Sequence, residues 1–513
     1  MSDGRRRGGA RRAPKSRRIP RRPRVEGGAR ARGGARALRV RDRRARGLPG
    51  TIGLTLLGAL VPGSGYLYAG RRALGTLVLL VWLGVLGAAA WYFREGLTSS
   101  GEDVTAALNL AFDPTRLKWL AAGLVTALVV WAFVVFTSYR LVRPRSRKPW
   151  HTVAGNLLVV VICLTMTYPT VLAARNVLAQ ADLVETVFAH TDSATTPKGR
   201  TKDNPWAGTD RVNVLLLGGD GGEGRVGVRT DTVILLSINT HNGRTVMFSL
   251  PRNMMYAQFP EDSPLHDLYP EGYSGPLDDS YYMLNAIYGQ VPANHPGILG
   301  ESDNEGADAI KQAVSGSLGV PVDYYVLVNL KGFQEIVDAM GGITVNVNQR
   351  VAINGNTDAG IPPTGYIEPG PDQHLDGFHA LWFARGRYGA DDYQRMDRQR
   401  CTVQAIIDEA KPMNLFRHYT ELVEAGKEVV FTDIPLDLAP AFIDLALKVK
   451  DSKTRSVVFK PSEHFSSASP DFEWMQQTVE KAIHPVPKKK KASTPGGEAE
   501  NPKDVCAYHP TGD

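Results

Sequence analysis

The sequence is poor in cysteine, with three in 513 residues, too few for the disulfide framework of a small secreted domain. It also lacks the P-loop, HExxH and GxSxG patterns, and the histidines after the apolar segments lack metal-ligand spacing. These absences argue against a P-loop nucleotide-binding protein, a zincin-type peptidase and a nucleophile-elbow hydrolase. Cys401 and Cys506 fall in a part that we predict to be exported, where a disulfide would persist. The sequence does not establish that they meet.

The net charge of +8 is unevenly distributed along the chain. Up to Arg46 there are 19 Lys and Arg against 3 Asp and Glu, which leaves 41 basic and 49 acidic residues in the rest. Residues 1–47 have almost no large apolar side chains, so we predict a disordered arm. Such an arm could bind nucleic acid or an anionic membrane surface. Because apolar segments follow directly, we favour a cytoplasmic tail that sets membrane orientation, and we expect no nucleic-acid partner.

Residues 48–175 contain four charge-free apolar segments, which we assign as a re-entrant piece and three membrane spans: 54–68, then 73–93, 119–137 and 154–174. The first segment is broken by Pro62 and Gly63 and is too short to cross. Three crossings place the basic loop from Arg140 to Lys148, which has no acidic residue, on the cytoplasmic side with the arm. We therefore predict a multi-pass protein of a bacterial cell membrane with a cytoplasmic N-terminus and an extracytoplasmic C-terminal domain.

The exported part divides into a polar linker at 176–208, a globular domain at 209–484 and a flexible Lys- and Pro-rich tail at 485–513. Apolar runs bounded by glycines or turn residues predict strands at 212–217, 232–238, 245–250, 324–328 and 343–347. Helical periodicity predicts helices at 307–318, 332–340, 391–409 and 436–449. Strands interleaved with helices indicate an α/β layered domain.

Arginine and aspartate recur at the ends of these predicted elements. Asp220 follows the first strand, where α/β sheets place their sites, and Arg229 and Asp231 share one face of the extended chain that enters the second. Arg252 follows the third strand. Further along, a two-apart arginine pair precedes a helix on which four polar side chains share one face: Arg385 and Arg387, then Asp392, Arg395, Arg398 and Gln399.

These residue types suit the binding of a diphosphate. Guanidinium groups bind phosphate oxygens in pairs and stay charged, which a lysine ammonium does less well. Two carboxylates among them could hold Mg²⁺, which at phosphate sites is usually bound by one or two carboxylates. Each motif taken singly is equally typical of ion pairs on a helix surface, so the prediction depends on their combination.

The combination resembles the LytR–CpsA–Psr family over roughly residues 211–407. The motifs occur in the family's order: Asn213-Val-Leu-Leu-Leu-Gly-Gly-Asp220, Arg229-Thr-Asp231-Thr, Ser249-Leu-Pro-Arg252, Tyr324-Tyr325-Val, Gly341-Gly342-Ile-Thr-Val, Leu375-Asp-Gly, Ala384-Arg-Gly-Arg387 and Asp392…Arg395…Arg398-Gln399. The resemblance implies an α/β/α layered domain with a central mixed sheet. It does not extend to the three-span front end, which departs from the family's commoner single-span anchor.

The resemblance also implies an activity. A wall glycopolymer would be transferred from a polyprenyl diphosphate carrier to a peptidoglycan hydroxyl, and the protein would contact membrane lipid. Asp220 and Asp231 would hold Mg²⁺, with Mn²⁺ as the alternative, and Asn253 stands where the family usually has an acid. The diphosphate would be bound by five arginines and one glutamine: Arg229, Arg252, Arg385, Arg387, Arg395 and Gln399. The catalytic residues would be Arg229, Asp231, Arg252, Arg385 and Arg387.

Two other functions use the same residues. A polyprenyl-diphosphate hydrolase would take water as the acceptor, and a non-catalytic protein would bind or sense the lipid-linked glycan. Asp220 and Asp231 favour catalysis, because a protein that only binds a diphosphate gains little from added negative charge.

Overall fold

The computed structural model describes residues 47–98, 110–143, 149–187, 193–219, 229–355, 360–409, 430–485 and 499–509. The predicted arm at 1–47 therefore lies almost wholly outside the described residues, as do most of the predicted tail and Asp220. The structure has an N-terminal group of apolar helices followed by a layered α/β domain.

Five helices form the N-terminal group: α1 (Gly47–Leu60), α2 (Ser64–Tyr68), α3 (Arg72–Thr98), α4 (Pro114–Val142) and α5 (Pro149–Val187). The helical conformation is interrupted between α1 and α2 at Gly63, whose φ is +102°. A Cβ at this position would lie 2.6 Å from the Gly75 carbonyl oxygen. Only glycine tolerates both the left-handed conformation and this close approach. The segment predicted as re-entrant is thus two helices that meet at a turn packed against α3.

Among the described residues, α4 and the α5 segment Pro149–Thr186 are long and apolar enough to cross a membrane; the apolar part of α3, Arg72–Ala88, is shorter. Large apolar side chains on α4 and α5 are exposed, with 75% of Trp119 and 62% of Leu164 accessible. A soluble protein would rarely leave so much apolar surface in water, so these helices support membrane anchoring. The predicted number of crossings and their orientation stay predictions.

The predicted topology has a direct test in the basic loop between the second and third spans. A reporter that functions only in the cytoplasm, such as a fluorescent protein that does not mature after export, should be active when fused after Arg147. A reporter that works only after export should be inactive there, and active when fused after Asp451. Export-dependent activity at Arg147 would contradict three crossings.

The C-terminal domain is built on a six-stranded mixed sheet with the order β10-β3-β2-β1-β4-β9. Its strands are β1 (Arg211–Gly219), β2 (Thr230–Asn239), β3 (Thr245–Leu250), β4 (Tyr324–Asn329), β9 (Val430–Thr432) and β10 (Thr454–Val458). β2 runs antiparallel to both β1 and β3, β1 is parallel to β4, and β3 is parallel to β10. The predicted strand at 343–347 forms, but it pairs outside this sheet as β5.

Alternation along the strands builds a core on each face of the sheet. Leu215 pairs with Leu235, and both side chains belong to one large buried cluster. Val212 and Val214 point the other way into a second cluster. Because both faces are covered, β1 is apolar at nearly every position rather than at every second one. This confirms the predicted α/β/α arrangement.

Helices cover the two faces and carry a small second lobe. On one face lie α7 (Leu284–Asn294), α8 (Glu305–Leu318) and α13 (Phe472–Ile483), and on the other lies α12 (Ala439–Lys450). The lobe has its own core, formed by α9 (Leu330–Ala339), β5 (Ile343–Val347), β6 (Val351–Ile353), β7 (Gly365–Ile367), β8 (Gly370–Leu375), α10 (Gly377–Arg385) and α11 (Asp392–Glu409). The remaining short elements are α6 (Pro264–Leu268), α14 (Pro502–Val505), β11 (Phe465–Ser466), β12 (Ser469–Pro470) and two 3₁₀ helices, Asp279–Tyr281 and Leu436–Leu438.

The segment predicted as a linker, 176–208, is held along its described length. Its first part continues α5 to Val187. Beyond residue 193 it docks on the domain, where Arg200 pairs with Asp323 at 2.7 Å and Ser193 bonds Asp308 at 2.5 Å. These groups are buried, so their mutual bonds offset the cost of removing them from water. Burial nevertheless raises the pKa of Asp323, although Arg200 opposes the shift.

The C-terminal end of the described chain is tied to α11. Cys401 and Cys506 form a disulfide with Cα atoms 5.6 Å apart, which answers the question that the sequence left open. Next to it, the buried Arg400 pairs with Glu500 at 2.9 Å. α14 is thereby held on the helix that also carries Arg395 and Gln399.

Candidate active site

The candidate active site lies at one edge of the sheet, where β1 and β3 end and β2 begins. Gly219 pairs with Thr230, and Val233 pairs with Leu250. Since β2 is antiparallel to β3, continuing this register by two residues places Asp231 beside Arg252. The strand pairing alone therefore brings together two residues that are 21 positions apart.

Four charged groups meet at this edge. Arg252 Nη1 lies 2.5 Å from Asp231 Oδ1, and its Nε lies 3.2 Å from Asp392 Oδ2. Arg395 Nη1 contacts the other oxygen of Asp392, at 3.2 Å. Asp392 is therefore shared by two guanidinium groups, and Arg252 is shared by two carboxylates. We call Asp231, Arg252, Asp392 and Arg395 the strand-end quartet.

The two arginines of the quartet are in different surroundings. Burial lowers the pKa of Arg252, but Asp231 and Asp392 outweigh burial and raise the pKa above its ordinary value. Arg395 is only 2% exposed, and burial, partly offset by Asp392, lowers its pKa to about 10. Both groups stay positively charged at neutral pH. Arg252, whose side chain is 21% exposed, is the one that a ligand in solvent can reach.

Helix α11 supplies the second half of the site because its spacing puts three polar residues on one face. Asp392, Arg395 and Gln399 are separated by three and four positions. Gln399 Nε2 donates to Thr232 Oγ1 at 2.8 Å, which fastens the helix to β2. Thr232 in turn sits against Gly218, where a Cβ would come within 2.9 Å of the Thr232 Cβ. A glycine at this strand end is thus required for the contact.

The predicted arginine pair at the end of α10 is held in place by Arg398, to which we assigned no role. Arg398 Nε donates to the Phe383 carbonyl oxygen at 2.7 Å, and its Nη2 donates to the Gly386 carbonyl oxygen. These bonds bracket Arg385, whose guanidinium lies 5.0 Å from the Trp382 ring centroid. Arg387 is exposed, and its charge contributes to the lowered pKa of Arg395. Arg398 therefore sets the position of this turn.

The structure brings some of the predicted site residues together and leaves others at the rim. Asp231, Arg252 and Arg395 are in direct contact through Asp392, and Gln399 anchors their helix. Arg229 is exposed directly before β2, and Arg385 and Arg387 lie on the adjacent turn. Asp220 lies outside the described residues. We assigned no role to Asp392 or Arg398 from the sequence, although their helical spacing from Arg395 indicates that all three lie on one face.

The predicted metal site was compared with the described donor groups. No group of three or more His, Cys, Asp or Glu side chains suited to a metal occurs in the described part of the chain. Asp231 Oδ1 accepts a hydrogen bond from Arg252 Nη1. One carboxylate oxygen suits Mg²⁺, which keeps several waters and takes further oxygens from substrate phosphate. Among the described residues, Asp231 is therefore the one predicted metal ligand at the site, and a bound metal stays a prediction.

The role of Arg398 can be tested through turnover. Arg398→Met should lower kcat about 10- to 100-fold, because a shift of about 1 Å in the turn carrying Arg385 and Arg387 misplaces their charges. The free energy of unfolding should fall by about 1–3 kcal/mol, since two carbonyl groups lose their donor. Lys331→Met, which removes an exposed pair with Glu335, serves as the control. Unchanged kcat in a folded Arg398→Met protein would contradict the assignment.

Comparisons with known proteins point to one family. Residues 179–491 match the LytR_cpsA_psr family. The chain is 30% identical over 298 residues to the polyisoprenyl-teichoic acid–peptidoglycan teichoic acid transferase TagU of Oceanobacillus iheyensis, covering 57% of this chain and 80% of that protein. The TagU protein of Bacillus subtilis is 27% identical over 254 residues, with 49% and 69% coverage.

A solved structure also resembles part of the chain. The crystal structure of B. subtilis TagV aligns with 54% of this chain and 99% of its own, at 22% identity and a TM-score of 0.38. The family match covers more than half of the chain and includes every described residue of the site. On the strength of that match and of the O. iheyensis relative, this chain belongs to the LytR–CpsA–Psr family.

Proposed function

We propose that this protein is a membrane-anchored phosphotransferase that moves a cell-wall glycopolymer from a polyprenyl diphosphate carrier to a peptidoglycan hydroxyl. The observation that carries the proposal is the strand-end quartet, in which Arg252 is held by Asp231 and Asp392 at the sheet edge. Two carboxylates orient a partly exposed guanidinium toward solvent, and more arginines lie on the adjacent turn. Such an arrangement suits an anionic diphosphate, whose oxygens guanidinium groups bind in pairs.

The reaction needs charge stabilisation more than a covalent nucleophile. The acceptor hydroxyl oxygen forms a bond to the glycan-side phosphorus, and the bond from that phosphorus to the bridging oxygen breaks. Polyprenyl phosphate leaves, and the acceptor's proton passes to a base of the site or to solvent. Phosphoryl transfer of this kind depends on positioning and on positive charge around the transferred group.

The roles of the site residues follow from where they lie. Arg252 contacts the diphosphate and stabilises the charge on the leaving phosphate, with Arg229, Arg385 and Arg387 around it. Arg395 is buried, so it acts chiefly by orienting Asp392 and by adding positive potential. Gln399 keeps α11 against β2. Mg²⁺, or Mn²⁺, held by Asp231 together with Asp220 and the substrate, would supply additional positive charge on the diphosphate.

The anchor fits a lipid-linked substrate. α5 runs from the apolar group to Val187, and the chain from residue 193 docks on the domain through Arg200 and Asp323. A domain tethered in this way meets a polyprenyl carrier that is confined to the same membrane. We propose that the domain is extracytoplasmic, where peptidoglycan is the available acceptor.

The deciding experiment uses the full chain in neutral detergent with Mg²⁺, a polyprenyl-diphosphate glycan and a peptidoglycan oligomer. Covalent glycan–peptidoglycan product, formed together with polyprenyl phosphate, is expected. Free glycan phosphate without the conjugate would identify a hydrolase, and binding without turnover would identify a lipid-glycan binding protein. Chelation of divalent cations should abolish transfer and restoration of Mg²⁺ should recover it. Transfer that is insensitive to chelation would remove the metal from the proposal.

A further inference from the structure

A second basic site lies at the edge of the sheet opposite the strand-end quartet. A cleft of about 810 Å³ is bordered there by the starts of β1, β3 and β10 and by the ends of β2, α11, α12 and α13. Among the described residues, its lining contains one acidic side chain, Asp408, and six basic ones: Arg211, Arg244, Lys450, Lys453, Arg455 and Lys503. None of them belongs to the set that we assign to the diphosphate.

Two of the three arginines of the cleft are positioned by neutral groups instead of by carboxylates. Arg211 Nε donates to Ser237 Oγ at 2.8 Å, and its Nη2 donates to the Ser237 carbonyl oxygen at 2.5 Å. Arg455 Nη2 donates to the Ala482 carbonyl oxygen at 2.5 Å. In the described residues, neither guanidinium has a carboxylate within 4.0 Å. Neutral groups thus define their geometry, and no described carboxylate pairs with either charge, unlike in the strand-end quartet.

These cations also act on one another. Burial, and after it the charge of Arg455, lowers the pKa of Arg211. Burial, and after it the charge of Arg244, lowers the pKa of Arg455. Three like charges that repel within a concave surface raise the free energy of the unliganded protein, and an anion that entered would relieve the repulsion. A cleft lined by charges of one sign also concentrates counter-ions from solution.

We propose that this cleft binds phosphodiester groups in the chain of the anionic polymer that the enzyme transfers. The choice of polymer rests on the proposed function, whereas the affinity for phosphate does not. β1 runs from Arg211 at the cleft to Gly219 at the active site, and its nine residues span about 26 Å. A polymer whose diphosphate end lies at the quartet would place later repeats at the cleft. The site would therefore select donors that carry a long, negatively charged chain.

Binding is tested first with tripolyphosphate, a compact soluble polyanion, added to the full chain in neutral detergent. All variants in this comparison also carry Arg252→Ala, so that the active site contributes less to tripolyphosphate binding. Adding Arg244→Gln and Lys453→Gln should weaken binding at least about tenfold, because each lost hydrogen bond to a charged group has a large effect on affinity. The control is Lys198→Gln with Lys481→Gln, which removes the same charge from exposed positions outside the cleft.

The polymer is tested with two donors that share the lipid and diphosphate but differ in the glycan. In an otherwise unaltered protein, Arg244→Gln with Lys453→Gln should raise KM about tenfold for a poly(phosphodiester) donor and leave a short neutral donor unaffected. Equal losses on both donors, or tripolyphosphate binding equal to that of the control, would overturn the proposal. The proposal would also be overturned if Arg244→Gln with Lys453→Gln lost binding to anionic phospholipid vesicles but kept its affinity for tripolyphosphate. If no transfer occurs at all, the tripolyphosphate comparison still decides whether the cleft binds phosphate.

Discussion

Arg252→Ala is expected to lower kcat/KM for glycopolymer transfer about 100- to 1000-fold, the range seen when one preorganised donor to a transition state is removed. The expectation follows from the charge balance of the strand-end quartet. With Arg252 present, two guanidinium groups face two carboxylates. Without it, Asp231 and Asp392 outnumber the single buried cation, Arg395, at the edge where an anionic diphosphate must bind. The variant therefore loses an attraction and gains a repulsion.

A second substitution of Arg252 separates charge from geometry, and a substitution at a distant ion pair serves as the control. Arg252→Lys keeps the positive charge but cannot contact Asp231 and Asp392 through a planar fork, so we expect it to recover only part of the activity. Lys448→Ala removes an exposed ion pair with Asp444 that is 2.7 Å long, and it should leave kcat/KM unchanged. Initial rates over a range of donor concentrations measure the effect. An Arg252→Ala protein that is folded and as active as Lys448→Ala would disprove the role of the quartet.

Loss of the disulfide between Cys401 and Cys506 is expected to lower the free energy of unfolding of the C-terminal domain by about 2–4 kcal/mol. The two cysteines are 105 positions apart, so the bond closes a long loop and constrains the unfolded chain strongly. Without the bond, weaker contacts hold the end of the chain: Lys503 with Asp408, Arg400 with Glu500, and the backbone bridge between Ser456 and Glu500. The end of the chain should then detach before the sheet unfolds.

Thermal or denaturant unfolding with and without a reductant provides the measurement. Reductant should destabilise the natural protein and have no effect on Cys506→Ala, which starts from the lower stability. Cys163→Ala, which replaces the free cysteine on α5, should respond to reductant as the natural protein does. A natural protein whose unfolding is the same in both conditions would show that the bond contributes nothing to stability.

Local pattern was enough to predict most of the elements. The apolar run from Val212 to Leu217 lies within β1, and the run from Thr245 to Leu250 is β3. The helical spacing from Asp392 to Gln399 correctly predicts a shared face on α11. These predictions succeed because a strand covered on both faces, or a helix with one polar stripe, has a sequence period of its own. The family resemblance rests on the same short motifs.

What the sequence alone determined about this protein is therefore its layered domain, its apolar anchor, its family and the residue types of its active site. Tertiary structure decided which of those residues meet. Arg252 bonds Asp392 across 140 positions, and Cys401 forms a disulfide with Cys506. Three arginines line one cleft at the opposite edge of the sheet: Arg211, Arg244 and Arg455. Local periodicity carries no information about such contacts, because they are set by strand register and by how helices pack on the sheet. The quartet at one edge and the basic cleft at the other thus appear only in the folded chain.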